Sequence, residues 1–374
     1  MARVVADLVR AQVAAGMRVV VACPGRGPLA VDVAALGAET ETWHVTRDPG
    51  PGLPAEIRRV AALAGHVRPD VVHAHSAKAG FAGRLAVRGR IPTVFQPHAW
   101  SFEAVSGTTA ALARSWERLA ARWTARVLCV SEAERARGER AGVRARWSVV
   151  PNGVDTDRFG PAGPHDAPAP AAAAARAALP ALAQLPPDTP LVVCVGRLCR
   201  QKGQDVLLRA WPLVLRDIPG ARLVLVGDGP DAARLRADAP PSVLFAGAVR
   251  DTAPWYRAAD LVVLPSRWEG MAVAPLEAMA GGRAVLLSDV DGARESLPPE
   301  AHPHCLTPPE DPVATATAVT ALLRDRSLRD TLGRLGHDHV RRTHDVRRTA
   351  RAVADVYREV APAPRSEGRE PILQ

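Results

Sequence analysis

Apolar positions along the chain fall into two alternating patterns. Short runs of β-branched and aliphatic residues are separated by longer Ala/Leu/Arg-rich stretches whose apolar positions recur at helical spacing. That alternation predicts strand–helix units feeding parallel sheets, an α/β architecture. In the first half the predicted strands are Arg18–Ala22, Asp70–His73, Thr93–Gln96, Val127–Val130 and Ser148–Pro151. In the second half they are Leu191–Val195, Arg222–Val226, Ser242–Ala246, Leu261–Leu264 and Ala284–Leu287. Between the two sets, Pro161–Pro190 is rich in Pro and Ala with a run of five alanines, and is expected to be a linker or an insertion, part of it helical. The predicted layout is therefore a domain over 1–160, a linker over 161–189 and a second domain over 190–345. A C-terminal helix over 346–361 is expected to pack back toward the first domain, ahead of a flexible tail over 362–374. Doubly wound sheets facing one another place ligands at the carboxyl ends of their strands.

Composition narrows the class. A chain of 374 residues exceeds what one hydrophobic core organises, and 47% hydrophobic content excludes wholesale disorder. No apolar run reaches the roughly 18–20 residues that span a bilayer, and no leader pattern opens the chain. The five cysteines are scattered without zinc spacing and read as reduced thiols of a reducing compartment, which points to the cytoplasm. A formal charge of +9 favours anionic partners. Of the 48 basic residues only Lys78 and Lys202 are lysine, so much of the excess reflects arginine-rich composition.

Several constellations could carry chemistry. Gly196-Arg197-Leu198-Cys199-Arg200-Gln201-Lys202-Gly203 joins a strand to a helix starting near Gln204. Such a loop suits an anion, with backbone N–H groups, the Arg197 fork and the Lys202 point charge; a solvated basic loop is the alternative. The GxxxxGK[ST] order of a P-loop is absent. A second block runs from Pro265 to Gly282. Pro275 suits a first helical turn and the glycine pair its C-terminal cap, so Glu269 precedes that helix and Glu277 sits on it. Gly25-Arg26-Gly27-Pro28 and Gly227-Asp228-Gly229-Pro230 read as turns. Asp155-Thr156-Asp157 and Asp289-Val290-Asp291 are too sparse to fill a cation shell, and no metal is assigned. His73, His75 and His98 lie at strand ends, in catalytic or structural roles. The helix around Ala110–Arg126 carries Arg114, Arg118 and Arg122 in one stripe with Trp116 nearby, which suits either a core-packed helix or one lying on an anionic membrane.

Together these residues resemble the retaining, nucleotide-sugar-dependent glycosyltransferases of the large GT-B family with the E-x7-E motif (group 1, family four). The likeness rests on Gly196-Arg197…Lys202-Gly203, Val226–Pro230, Glu269-x7-Glu277, Val150–Asp155 and Val130-Ser131-Glu132, and extends from Val4 to about Tyr357. It implies that Arg197 and Lys202, with Gly196 and the backbone of Gly270, Met271, Ala272 and Val273, hold a donor diphosphate without a metal. It implies that Glu277 binds the ribose, that Arg250 borders the base and favours UDP, and that Glu269 and His98 flank the donor sugar. His98 is followed by Ala99 where relatives commonly have glycine. Relatives also begin with a strand and a Gly-rich turn, whereas Met1–Val5 already lies in the first helix, so the first domain is expected to lack its first strand through a late-assigned start. The implied reaction moves a sugar from a nucleoside diphosphate sugar, a co-substrate rather than a cofactor, to a glycan or lipid-linked acceptor in surface polysaccharide or glycoconjugate synthesis. The expected setting is the cytoplasm or the inner face of the plasma membrane, with no nucleic-acid partner. A GT-B nucleotide-sugar epimerase and a non-catalytic basic scaffold are the alternatives.

Overall fold

Buried aliphatic runs and amphipathic helices assemble into two parallel α/β units. The computed structural model describes residues 1–25, 27–45, 50–160, 168–361 and 371–373. Arg26 of the expected Gly25–Pro28 turn, the opening of the Pro/Ala-rich stretch (161–167) and most of the expected tail (362–370) lie outside the described residues. Among those described, the strands are β1 (Arg18–Cys23), β2 (Glu39–Thr42), β3 (Val71–His75), β4 (Thr93–Gln96), β5 (Arg126–Cys129), β6 (Trp147–Val149), β7 (Leu191–Val195), β8 (Arg222–Val226), β9 (Val243–Gly247), β10 (Leu261–Leu264), β11 (Val285–Ser288), β12 (Leu306–Thr307) and β13 (Pro371–Leu373). Unit 1 comprises Met1–Asn152 and Val346–Gln374, and unit 2 comprises Gly153–Asp345.

In unit 1 the sheet order is β2-β1-β13-β3-β4-β5-β6, every pair parallel. β3 and β4 are buried along their whole length, because helices cover both faces of a parallel sheet. The place between β1 and β3 is held by β13: Arg18 pairs with Pro371, and Val71 with Ile372. Pro371–Leu373, within the stretch expected to be a tail, thus pairs on both sides in this sheet. The helix Val346–Val360 belongs to unit 1, and its Tyr357 hydroxyl meets Gln12 Nε2 at 3.2 Å on the helix Ala2–Ala14.

Unit 2 has the order β12-β11-β10-β7-β8-β9, again all parallel. Residues 153–160 join this unit rather than the first: Val154 bridges to Asp345, and Phe159 is buried edge-on against Tyr256. The Pro/Ala-rich stretch is docked rather than left as a bare linker. Its helix Pro168–Ala178 carries Arg176, which donates to the carbonyls of Ala258, Pro187 and Thr189 and pairs with Asp260 at 2.8 Å. Carbonyl and carboxylate acceptors all around a buried guanidinium are a strong reason for an alanine-rich helix to stay in place. The thiols are all unpaired, and burial pushes Cys194 and Cys305 up to about 12, which suits inert packing groups.

Candidate active site

At the carboxyl end of β7 the chain turns at Gly196, whose N–H donates to Val226 O at 2.9 Å. The Gly227-Asp228-Gly229 turn after β8 packs directly on this loop. A Cβ at Gly227 (φ +139°) would stand 2.1 Å from Gly196 O, so glycine is required by close backbone approach. Lys202 ends a short 3₁₀ turn (Arg200–Lys202) capped by Gly203, which opens the helix Gln204–Asp217. Gly203 (φ +67°) is likewise forced, since a Cβ there would lie 1.9 Å from Pro265 O after β10. The two loops expected to bind one donor are thus in direct backbone contact.

Side chains staple them further. Lys202 Nζ pairs with Glu269 Oε1 at 2.5 Å, and Ser266 Oγ donates to the same oxygen at 2.7 Å. Arg267 grips Asp205 with both terminal nitrogens at 2.8 and 2.7 Å and sends Nε to Glu310 at 2.7 Å. Asp205 holds the Arg267 guanidinium protonated, its pKa pushed upward, and Arg267 in turn pulls the Asp205 carboxyl down. Gln201 Nε2 donates to Trp268 O at 3.1 Å. Arg197 differs from all of these: its Nη1 is buried and without a hydrogen-bond partner. A buried guanidinium N–H left unmatched is costly, and a hydrogen-bond acceptor placed there would relieve that cost.

Glu277 lies on the helix Val273–Ala280, buried, and accepts from Tyr256 Oη at 2.7 Å and Thr252 Oγ1 at 3.4 Å. Arg250 is exposed just before Thr252, on the loop after β9. Gly270, Met271 and Ala272 lead into Val273, the first residue of that helix, with Met271 buried. The structure thus brings Gly196, Arg197, Lys202, Glu269 and the Gly270–Val273 turn to the ends of β7 and β10. Ser266, Arg267, Asp205 and Tyr256 were not singled out in the sequence. Arg267 lies inside the Pro265–Gly282 block, but only its partners on another loop reveal its role. The aspartate triplets have structural work: Asp155 caps the helix Thr156–Phe159, and Asp289 pairs with Arg294.

In unit 1 the ends of β3 and β4 gather histidines instead. His75 Nδ1 and His98 Nε2 lie 3.1 Å apart, and His73 Nδ1 meets Tyr357 Oη at 2.5 Å. His73 and His75 rings lie tilted against one another, 3.9 Å between centroids. Burial holds all three imidazoles neutral: His75 is pushed down to about 3, and His73 and His98 well below the usual range; neighbouring imidazoles add to the effect at His73 and His98, and the positive N-terminal amine adds to it at His75 and His98. The backbone here is strained. Ser76 (φ +77°), His98 (φ +54°) and Ala99 (φ +90°) are left-handed without being glycine, at a cost of about 1–3 kcal/mol each.

The expected membrane-facing set is redistributed by packing. Trp116 packs at a tilt against Phe81 (4.3 Å) and Trp123 (6.2 Å) instead of facing outward, and Arg118 Nε donates to Ala141 O at 2.6 Å. Arg114 is half-buried and Arg122 exposed. The outward apolar residues of the helix Gly107–Ala120 are Leu112, 71% exposed, and Leu119, 42% exposed. Among the described residues no helix is long and apolar enough to cross a membrane.

Solved structures share this architecture. Anabaena HepE in complex with UDP-glucose superposes with a TM-score of 0.79 at 22% identity, over 96% of this chain and 95% of that one. A sucrose-phosphate synthase from Thermosynechococcus elongatus gives 0.71 at 22% identity, over 91% and 98%. These likenesses define a GT-B fold of two Rossmann-like domains. The family models described as "Glycosyltransferase Family 4" and "Glycosyl transferases group 1" match residues 1–158 and 189–325. A GDP-mannose-dependent alpha-(1-6)-phosphatidylinositol monomannoside mannosyltransferase of Mycobacterium tuberculosis is 33% identical over 292 residues, 73% of this chain and 71% of that protein. The UDP-Gal:alpha-D-GlcNAc-diphosphoundecaprenol alpha-1,3-galactosyltransferase of Escherichia coli is 31% identical over 237 residues, 60% of this chain and 58% of its own length. The chain belongs to the group 1, family 4 glycosyltransferases.

Proposed function

We propose that this chain is a retaining glycosyltransferase that moves a sugar from a uridine diphosphate sugar to a lipid-linked or glycan acceptor in surface glycoconjugate synthesis. The observation that carries the donor half is the buried, unpartnered Arg197 Nη1 on the same loop as Lys202, whose side chain lies over Gly196. Arg197 and Lys202 bind the diphosphate and neutralise the charge that builds on it as it leaves. The Gly270–Val273 turn and the helix it opens add backbone dipoles at the same oxygens. Glu277, oriented by Tyr256, receives the ribose hydroxyls, and Arg250 stacks on the base. Glu269 positions Lys202 and faces the sugar hydroxyls; His98, neutral, is the unit 1 group that serves the sugar. The acceptor oxygen bonds to the anomeric carbon on the face the diphosphate leaves. The bonding pair departs with the β-phosphate oxygen, which takes the acceptor's proton, so configuration is retained.

The two relatives carry UDP-galactose and GDP-mannose in their names, and both names describe lipid-linked acceptors. The base is therefore tested directly. Thermal stabilisation and donor turnover are measured across uridine, guanosine and adenosine diphosphate sugars. Uridine donors are expected to stabilise the chain most, and Arg197→Ala to reduce kcat/KM by roughly 10²–10³. Stabilisation by guanosine donors instead would overturn the base assignment. Loss of every response would leave the basic scaffold, and turnover to an epimerised sugar without transfer would leave the epimerase. The exposed Leu112 and Leu119 with Arg122 support docking of the helix Gly107–Ala120 on an anionic inner leaflet, where a lipid-linked acceptor is presented. Unchanged binding of Leu112→Glu to phosphatidylglycerol vesicles would refute that docking.

A further inference from the structure

We infer that Glu134 is a positioning residue for His98, acting through the strained peptide at Ala99. The inference rests on the proposed role of His98 and deepens it. Glu134 sits in the first turn of the helix Glu132–Arg140, which Ser131 caps by accepting the Glu134 N–H at 3.0 Å. Its carboxylate is buried and uses both oxygens on backbone donors: Oε1 accepts from Ala99 N at 2.6 Å and Oε2 from Val130 N at 2.8 Å. One charged group thus ties the loop after β4 to the end of β5, at the peptide following His98. The Glu134 carbonyl accepts from Trp100 Nε1 at 2.8 Å, so the clamp grips both sides of the turn.

The clamped segment is the one that would otherwise relax. His98 and Ala99 both hold positive φ, and Ala99 at +90° sits where only glycine is comfortable. In the conformation held, His98 presents Nε2 to His75 Nδ1 at 3.1 Å. Left without a clamp, two consecutive strained residues favour return to ordinary backbone, which would swing the imidazole off His75. A carboxylate accepting two N–H groups opposes this; a carboxamide of the same shape accepts one and turns its own donor against the other. Glycine at position 99 removes most of the need for the clamp.

The experiment compares wild type, His98→Ala, Glu134→Gln, Ala99→Gly and the double variant Glu134→Gln/Ala99→Gly, reading kcat and donor KM separately, with UDP binding to each as a control on unit 2. Glu134→Gln is expected to lower kcat about 10–100-fold with donor KM and UDP affinity unchanged. Ala99→Gly is expected to restore most of that loss in the double variant and to have little effect alone. An unchanged kcat in Glu134→Gln, or a loss that Ala99→Gly does not restore, overturns the inference. Should Glu134→Gln fail to fold, the double variant is measured against Ala99→Gly alone: near-equal kcat supports the clamp, and a 10-fold or larger deficit overturns it. A double variant that also fails to fold overturns it too, because the carboxylate then holds the fold and not the loop. Wild-type turnover in His98→Ala would sink the role of His98 itself and the inference with it. A slow His98→Ala beside a normal Glu134→Gln would sink the positioning role alone.

Discussion

The strand ends of the two units are built on opposite electrostatic plans. In unit 2 the loops after β7 and β10 are charged and cross-linked: Lys202 to Glu269, Arg267 to Asp205 and Glu310, with Arg197 Nη1 left unmatched. In unit 1 the ends of β3 and β4 gather three neutral imidazoles on strained backbone, with the Glu134 carboxylate spent on peptide N–H groups. In unit 2 Lys202 and Arg267 are each held in place by a counter-charge, which fixes the cations without help from a ligand. In unit 1 the imidazoles carry no charge to pair, so their orientation is held by backbone strain and burial instead.

The largest effect that would break this contrast is steric. Gly203→Ala is expected to destabilise unit 2 by about 3 kcal/mol or more, because its Cβ meets the Pro265 carbonyl and its φ is left-handed. Scanning calorimetry should show the unit 2 transition falling while unit 1 keeps its own; an unshifted transition would mean the two loops are not in contact. Next comes Arg267→Gln, which leaves Asp205 without its bidentate partner. A loss of about 2–3 kcal/mol in unit 2 is expected, along with weaker nucleotide binding as the Lys202 loop loosens. Equal UDP affinity in this variant would show that the staple serves stability only.

The smallest effect sharpens the contrast by pH. The unfolded chain protonates its histidines near pH 6.5, whereas His75 resists protonation down to about 3, with His73 and His98 also held neutral. Below pH 6.5 the unfolded state therefore binds more protons, and stability falls as pH falls, by about 1.4 kcal/mol per pH unit for each such histidine. Unit 2 holds His339, pushed down to about 4 at an intermediate site. The unit 1 transition is thus expected to drop more steeply between pH 6.5 and 4.5, and equal slopes would refute the neutral-imidazole cluster.

Much of the scaffold was legible from the pattern of residues. β4, β7, β8 and β10 match their predicted bounds, and β1, β3, β5, β6, β9 and β11 lie within a residue or two of theirs, because parallel strands covered by helices read as short, mostly aliphatic runs. β2 was not found: Glu39-Thr40-Glu41-Thr42 is an exposed edge strand without an apolar position to mark it. β12 has two residues, and β13 is a short segment that becomes a strand only by pairing with β1 and β3. At the site, the residue types and spacing singled out Arg197, Lys202, Glu269 and Glu277. Tyr256, which donates to Glu277, the Arg267–Asp205 pair that joins the two loops, and Glu134 in unit 1 were silent, since each is an ordinary helix or loop residue until another element arrives beside it.

The amino-acid order by itself determined which segments are strands and helices, the α/β class, and the loops rich enough in glycine and charge to meet a phosphate. These follow from periodicity and local chemistry, which act over a few residues. Tertiary structure alone decided that Trp116 turns inward while Leu112 and Leu119 face solvent, that Pro371–Leu373 completes the first sheet, and that Glu134 clamps the turn at His98. Each of these depends on contacts between residues far apart in the chain, whose energies exist only once the sheets have formed.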